Sequence, residues 1–261
     1  MFPLMNILAS LRWRLIAASA LAAVLFSLAM AQVQAEQIIQ TQGFMGNPNF
    51  VQQLEFDRFN PSKGTLNSIE VRVDLIIDGG SLSVDNDGLL PANLDVELGA
   101  TAAISSAGVR LLDSGFMPIL SGTNAVGVST GSSFNLAPEN GDGATFDPTG
   151  PDGATHLGGI ASAFDSAFVN PSFFTDYMGT TMYDMQVAVN QLLDFGGQGG
   201  LSGQFDPVNT EVMVTVTYDF SQQVPEPATL TSAALGLLGL AGFPQEPSPQ
   251  LILSRQSVLG L

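Results

Sequence analysis

The chain has 261 residues, of which 45% are hydrophobic and only 12% charged, about half the usual charged share. A net charge of −17 excludes nucleic acid as a partner, because phosphate binding needs clustered Lys and Arg. It also disfavours adhesion to anionic lipid heads and leaves room for a bound cation. With Cys 0 there are no disulfides, thiolate nucleophiles or Cys-ligated zinc, and with His 1 there is no His-rich metal site.

Residues 1–35 read as a signal peptide. Arg12 and Arg14 supply the positive region and Leu15 to Met30 the apolar core. Small residues follow at Ala29 and Ala31, and again at Val33 and Ala35, so cleavage is expected after Ala31 or Ala35. The apolar run is shorter than the roughly 20 residues needed to span a bilayer. A helix that is removed by signal peptidase is therefore expected, and with it export.

Residues 36–223 alternate with a period of two. Ile69, Val71, Val73 and Leu75 share one face of a strand, and Glu70, Arg72 and Asp74 the other. Val212, Val214, Val216, Tyr218 and Phe220 repeat the pattern, and "NLDVELGA" does so more briefly. Such runs predict half-buried strands. "DGGS", "DNDG", "GTNAVG" and "GGQGG" are the turns between them. Only "FDSAF" and "TMYDMQVAVNQLLDF" fit a helix, the second nearly as well a strand. There is no internal repeat. The expectation is an all-β fold in one domain, an antiparallel β-sandwich of jelly-roll or Ig-like type.

Within the body, "FDRFNPSKGTLNSIEVRVDL" sets Phe59, Asn60, Pro61, Gly64, Thr65 and Leu66 before a long strand. Pro61 and Gly64 read as a turn that launches a strand over Thr65–Ile77. "FGGQGGLSGQFDPVNTEVMVTVTYDF" sets a glycine-rich turn before the last strand. Together the two stretches resemble the choice-of-anchor E domain, a β-rich module found ahead of various C-terminal anchors. The resemblance brings no catalytic residues with it.

Candidate chemistry is sparse. "VDNDGLL" holds Asp85 and Asp87, and "ENGDGATFDPTGPDG" holds Glu139, Asp142, Asp147 and Asp152. Calcium takes six to eight oxygens from carboxylates and carbonyls, and glycine turns let the backbone supply some of them. Asp85, Asp87, Asp142, Asp147 and Asp152 are thus the calcium candidates; the alternative is a set of Asx turns. Neither loop has EF-hand spacing, since Ser83 stands where its first Asp would be. His156, in "PDGATHLGGI", reads as a solvated or turn-bonded histidine, because no G-x-S-x-G elbow accompanies it. Paired carboxylates also serve glycosidases, but Trp13, the single tryptophan, lies in the signal peptide and leaves the body without indole platforms. The 17 Phe residues read as core. No enzyme is expected and no cofactor beyond calcium.

Residues 224–261 close the chain. Val224-Pro225-Glu226-Pro227-Ala228-Thr229 cannot continue a strand, because proline lacks the N–H donor. Leu230 to Phe243 follows without a charge, a helix of about 21 Å. Motif (224–229) and short transmembrane helix (230–243) resemble the PEP-CTERM sorting signal of secreted proteins in Gram-negative bacteria that make exopolysaccharide. Pro225, Glu226 and Pro227 match its motif. The resemblance implies processing by an exosortase, a membrane-embedded cysteine protease, and a route from an inner-membrane intermediate to the cell surface or extracellular matrix. The family's basic cluster is replaced at 244–261 by "FPQEPSPQLILSRQSVLGL" from Phe243 on, with Arg255 alone. One codon set for Pro244–Gln250, read one base later, encodes Arg-Arg-Ser-Arg-Arg-Arg. A displaced reading frame is therefore the expectation, and arginine codons in the shifted frame of the gene are its test. The function expected from the whole is that of an exported surface or exopolysaccharide-matrix protein of structural or interactive role. A calcium-dependent or glycan-binding module is the alternative, and a hydrolase a more distant one.

Overall fold

The computed structural model describes residues 35–141, 143, 145–196 and 200–222. The expected signal and tail helices, the motif Pro225-Glu226-Pro227 and Asp142 lie outside these residues. Eleven strands follow one another: β1 (Ala35–Gly46), β2 (Phe50–Asp57), β3 (Thr65–Asp78), β4 (Ser81–Asn86), β5 (Ala92–Ser105), β6 (Val126–Leu136), β7 (Gly153–Leu157), β8 (Ala161–Phe168), β9 (Met182–Gly196), β10 (Leu201–Asp206) and β11 (Asn209–Ser221). All pair antiparallel, in the orders β1-β11-β3-β8, β10-β4-β7 and β2-β9-β5-β6.

The small sheet continues the first. Asp78 pairs with Asn209 and Ser81 with Asp206, so one register runs through the break between β3 and β4. Ile77 pairs with Ala161 and Ser81 with Leu157, which carries the same continuity to β8 and β7. Three neighbouring strands therefore bend at one place. Gly79 (φ 69) and Gly80 (φ 81) make the bend in the central strand with left-handed backbone that favours glycine. Gly158 crosses so close to Gly79 that a side chain there would strike its carbonyl, and its N–H donates to the Gly80 carbonyl at 3.0 Å. The bend also changes which residues face inward, from Ile77 to Leu82 and Val84 on the central strand.

Counting each bent strand once leaves eight strands. Numbered in chain order, they form two four-stranded sheets, 1-8-3-6 and 2-7-4-5. This is the order of a jelly roll, two interleaved Greek keys, and differs from that of an immunoglobulin sandwich. The core lies between the sheets. Ile69, Val71, Val73, Leu75 and Ile77 of β3 and Val212, Val214, Val216, Tyr218 and Phe220 of β11 meet Leu98 and Ile104 of β5 and Met185, Val187 and Val189 of β9. Each such burial contributes roughly 1.5–3 kcal/mol. Beyond the bend a second cluster joins Leu82 and Val84 to Leu94, Val96 and Leu136.

The alternating runs occupy β3, β5 and β11 as expected. "FDSAF" and "TMYDMQVAVNQLLDF", which also fit a helix, are strands β8 and β9. β9 sits between β2 and β5 and buries Tyr183, Met185, Val187 and Val189, so period two prevails. The phenylalanines are not all core. Phe116, Phe164, Phe168, Phe195 and Phe205 are exposed, whereas Phe56, Phe59, Phe173 and Phe220 are buried. Phe164 lies on the outer face of an edge strand, where the Arg72 guanidinium covers its ring at 4.0 Å. Among the described residues, no helix is long and apolar enough to cross a membrane.

Candidate functional site

The last strand ends at Ser221 between two neighbours, and the side chains around it form a clamp. Asn60 caps a single 3-10 turn, Pro61–Lys63, its side-chain oxygen accepting the Ser62 N–H at 3.0 Å. Pro61 fits the first position of that turn, where its missing N–H costs nothing. Gly64 ends the turn (φ 155) directly against Ser221, with no room for a side chain. Phe59, buried just before the turn, packs its ring against Phe220 (5.2 Å between centroids) and Tyr218 (6.0 Å). The chain then enters β3, where Thr65 pairs with Ser221 and Leu66 with Phe220. The stretch "FNPSKGTL" is thus the fixture that holds the C-terminal end of β11.

Polar side chains close the clamp from both sides. Gln37 of β1 donates to Asp219 at 2.6 Å, and Ser68 of β3 donates to its other oxygen at 2.6 Å. Asn67 donates to the Ser221 hydroxyl at 2.8 Å, and the Tyr218 hydroxyl donates to the Asp57 carbonyl at 3.0 Å. Below the clamp, Arg58 donates to the carbonyls of Asp176 (2.8 Å) and Met182 (2.9 Å) and to the Thr181 hydroxyl (2.7 Å). Its charge is absorbed by backbone dipoles. Arg110 and Asp176 pair at 2.6 Å, and the hydrogen bond from Arg110 holds the Asp176 carboxyl below its ordinary value. Tyr177, Tyr183 and Tyr218 form one buried group. Burial pushes the Tyr218 hydroxyl up to about 12 and the other two upward as well.

The acidic loops lie at the far end, beyond the bend. Asp85 is buried on β4 and accepts the Asp147 N–H at 2.7 Å. Asp152 is buried and takes both the Asn140 N–H and its side-chain amide at 2.9 Å. Asp147 accepts the Thr149 N–H (3.0 Å) and hydroxyl (2.6 Å), which lowers its carboxyl from the ordinary value. Glu139 accepts two glycine N–H groups, from Gly141 and Gly143. Asp87 is half-buried in the neighbouring turn. Asp85, Asp147 and Asp152 are thus brought to one loop cluster, where each carboxylate receives a backbone donor. Among the described residues, no group of three or more His, Asp or Glu is arranged to hold a metal ion.

His156 corrects the sequence expectation. It lies on strand β7, not in an open turn, and is 7% exposed. Its Nδ1 lies 2.9 Å from the Ser132 hydroxyl and its Nε2 3.0 Å from that of Thr130, both on β6. A catalytic triad needs a carboxylate on the second nitrogen, and here that place is taken by a threonine. The histidine pins β7 to the facing sheet. No local signal marks this role, since its partners stand 24 and 26 residues upstream. The clamp was partly visible in Asn60, Pro61 and Gly64; the parts of Gln37, Asn67 and Tyr218 in it required the fold.

Comparison with known proteins adds one assignment. The family profile described as the PEP-CTERM protein-sorting motif matches residues 223–243. No curated protein matches the chain. Among solved structures, infectious bursal disease virus of the Gt strain is 11% identical over 78% of this chain, with a TM-score of 0.16. The Gx strain is 12% identical over 78%, with a TM-score of 0.15. The chain spans about half the length of these structures, 51% of each. At such scores the likeness carries no argument about fold or function.

Proposed function

From a chain that carries a PEP-CTERM sorting motif at residues 223–243, we propose an exported protein that an exosortase processes at the membrane and that then serves at the cell surface or in the exopolysaccharide matrix. The observation that carries the reading is the place of the motif. It begins two residues after Ser221, where β11 ends. Signal peptidase removes the N-terminal segment, the apolar run 230–243 holds the intermediate in the membrane, and the exosortase recognises Pro225-Glu226-Pro227. The sandwich is the cargo, with a structural or interactive role. The clamp supports reading it as a choice-of-anchor E module, because "FNPSKGTL" fastens the very strand that leads into the tail. The reading includes no catalysis. What supports this is the bonding of His156 to two hydroxyls and of the loop carboxylates to backbone donors. Nothing observed favours the calcium or glycan alternative over this one.

The test is expression in a host with and without its exosortase. With the enzyme, the protein is expected to lose mass and leave the inner-membrane fraction. Without it, or with Pro225→Ala and Glu226→Ala together, the uncut form is expected to stay in that fraction. The same mass and location in both hosts would overturn the proposal.

A further inference from the structure

Strand β1 is an edge without the usual protection. It pairs with β11 alone among the described residues, through twelve consecutive residues with no register shift. Edge strands are ordinarily kept from pairing by Lys, Pro, a bulge or a short length. Residues Gln37–Gly46 contain none of these and no charged side chain at all. The other long uncharged edge, β6, faces β7, from which His156 bonds to it. Gln40 donates to the Asp57 carbonyl and accepts the Asp57 N–H, so β1's side chain caps the edge of β2 and leaves the backbone edge of β1 itself open.

We infer that this edge pairs with the same edge of a second copy, antiparallel about a two-fold axis at Gln42. Charge permits a second copy as the occupant at this edge. Two copies of a chain of net charge −17 repel, and β1 beyond Glu36 is a stretch where they meet without opposing carboxylates. Side chains select the register. Centred on Gln42, Ile39 of one copy lies opposite Met45 of the other, on the outer face where the two are 61% and 76% exposed. The axis repeats that pair, so two apolar contacts form and both residues are covered. The sheet becomes one of eight strands running through both copies, an isologous contact. A run of about ten residues is roughly 30 Å long, and such a contact falls below the ~1,200 Å² at which stable interfaces begin. The dimer is therefore concentration-dependent.

The absence of cysteine makes the test clean. In the full-length chain, Gln42→Cys is expected to give a covalent dimer under mild oxidation or with a short bifunctional thiol reagent, because residues directly opposite lie about 4.5–5.5 Å apart at Cβ. Ile39→Cys alone and Met45→Cys alone are expected to stay monomeric, whereas a mixture of the two is expected to cross-link. The mixed pair also serves if Gln42→Cys does not fold. Adding Met45→Asp to Gln42→Cys is expected to suppress the dimer while leaving the melting temperature within a few degrees. A monomeric Gln42→Cys with a monomeric mixture would overturn the inference. So would single variants that link as well as the mixture, or a cross-link indifferent to Met45→Asp.

Discussion

The carbonyl oxygen of Ser221 fills the space that a side chain on Gly64 would need. Gly64 also sits at φ 155, ψ −158, a region of backbone space reserved for glycine. Gly64→Ala is therefore expected to cost at least about 2 kcal/mol, since strain of about 1–3 kcal/mol is joined by displacement of the last strand. At roughly 2–4 °C per kcal/mol, thermal melting should fall by about 4 °C or more. Gly127→Ala, where the nearest atom lies at 3.6 Å, should leave the melt nearly unchanged. An equal effect at the two glycines would refute the clamp.

Removing the imidazole of His156 should loosen the far half of the sandwich. His156→Ala strips hydrogen-bond partners from the half-buried Thr130 and Ser132, a loss of about 1 kcal/mol. Hydrogen exchange should report it first in β7 and β6, with β1 and β11 still protected. Protection lost evenly over all strands would count against a local pin.

Asp85 and Asp152 are expected to act as loop organisers. Replacing either with Ala frees backbone N–H groups of Asp147 or Asn140 and should destabilise by about 1–3 kcal/mol. The drop in melting temperature should be the same with millimolar calcium as with chelator. If calcium instead raised the melting point of the unmodified chain, and Asp85→Ala abolished that rise, the loops would be a cation site.

All three tyrosines of the chain share one buried group, which sets its behaviour in alkali. Their hydroxyls are pushed up by burial, that of Tyr218 to about 12. A raised folded value means that the folded state holds its protons more tightly. The associated stability is full below the unfolded value near pH ~10 and is lost as pH rises beyond it. Tyrosinate absorbance and loss of far-ultraviolet circular dichroism should rise together in one cooperative step. Tyrosines that ionise singly while the sheet signal persists would show that the group is open to solvent.

How much of this was legible in the sequence depended on where each residue's partners lie. β3 and β11 are flanked on both sides and buried on one face, so Ile69 to Leu75 and Val212 to Phe220 carry a clean two-residue period. β8 is an edge whose inward residues include Ala163 and Ala167, too small to mark a face, and its outward face holds Phe164 and Phe168. Its pattern was ambiguous for that reason. "DGGS" marked a turn correctly, but that three paired strands bend at one place, around Gly79-Gly80 and Gly158, is a property of the register. The acidic loops announced themselves by composition. Whether a carboxylate there meets a cation or an amide is decided by backbone far along the chain, as with Asp85 and the N–H of Asp147, 62 residues later.

The central position of β11, between β1 and β3, has a mechanical consequence. A pull applied at Gln222 along the strand direction would load this strand along its own length. The inter-strand bonds on either side lie across the direction of pull. If the far end of the sandwich is gripped by a partner, tension strains both ladders at once, in shear, where an edge strand would peel away bond by bond. A load applied at Gln222 would thus be shared across two neighbours before the first bond gave way.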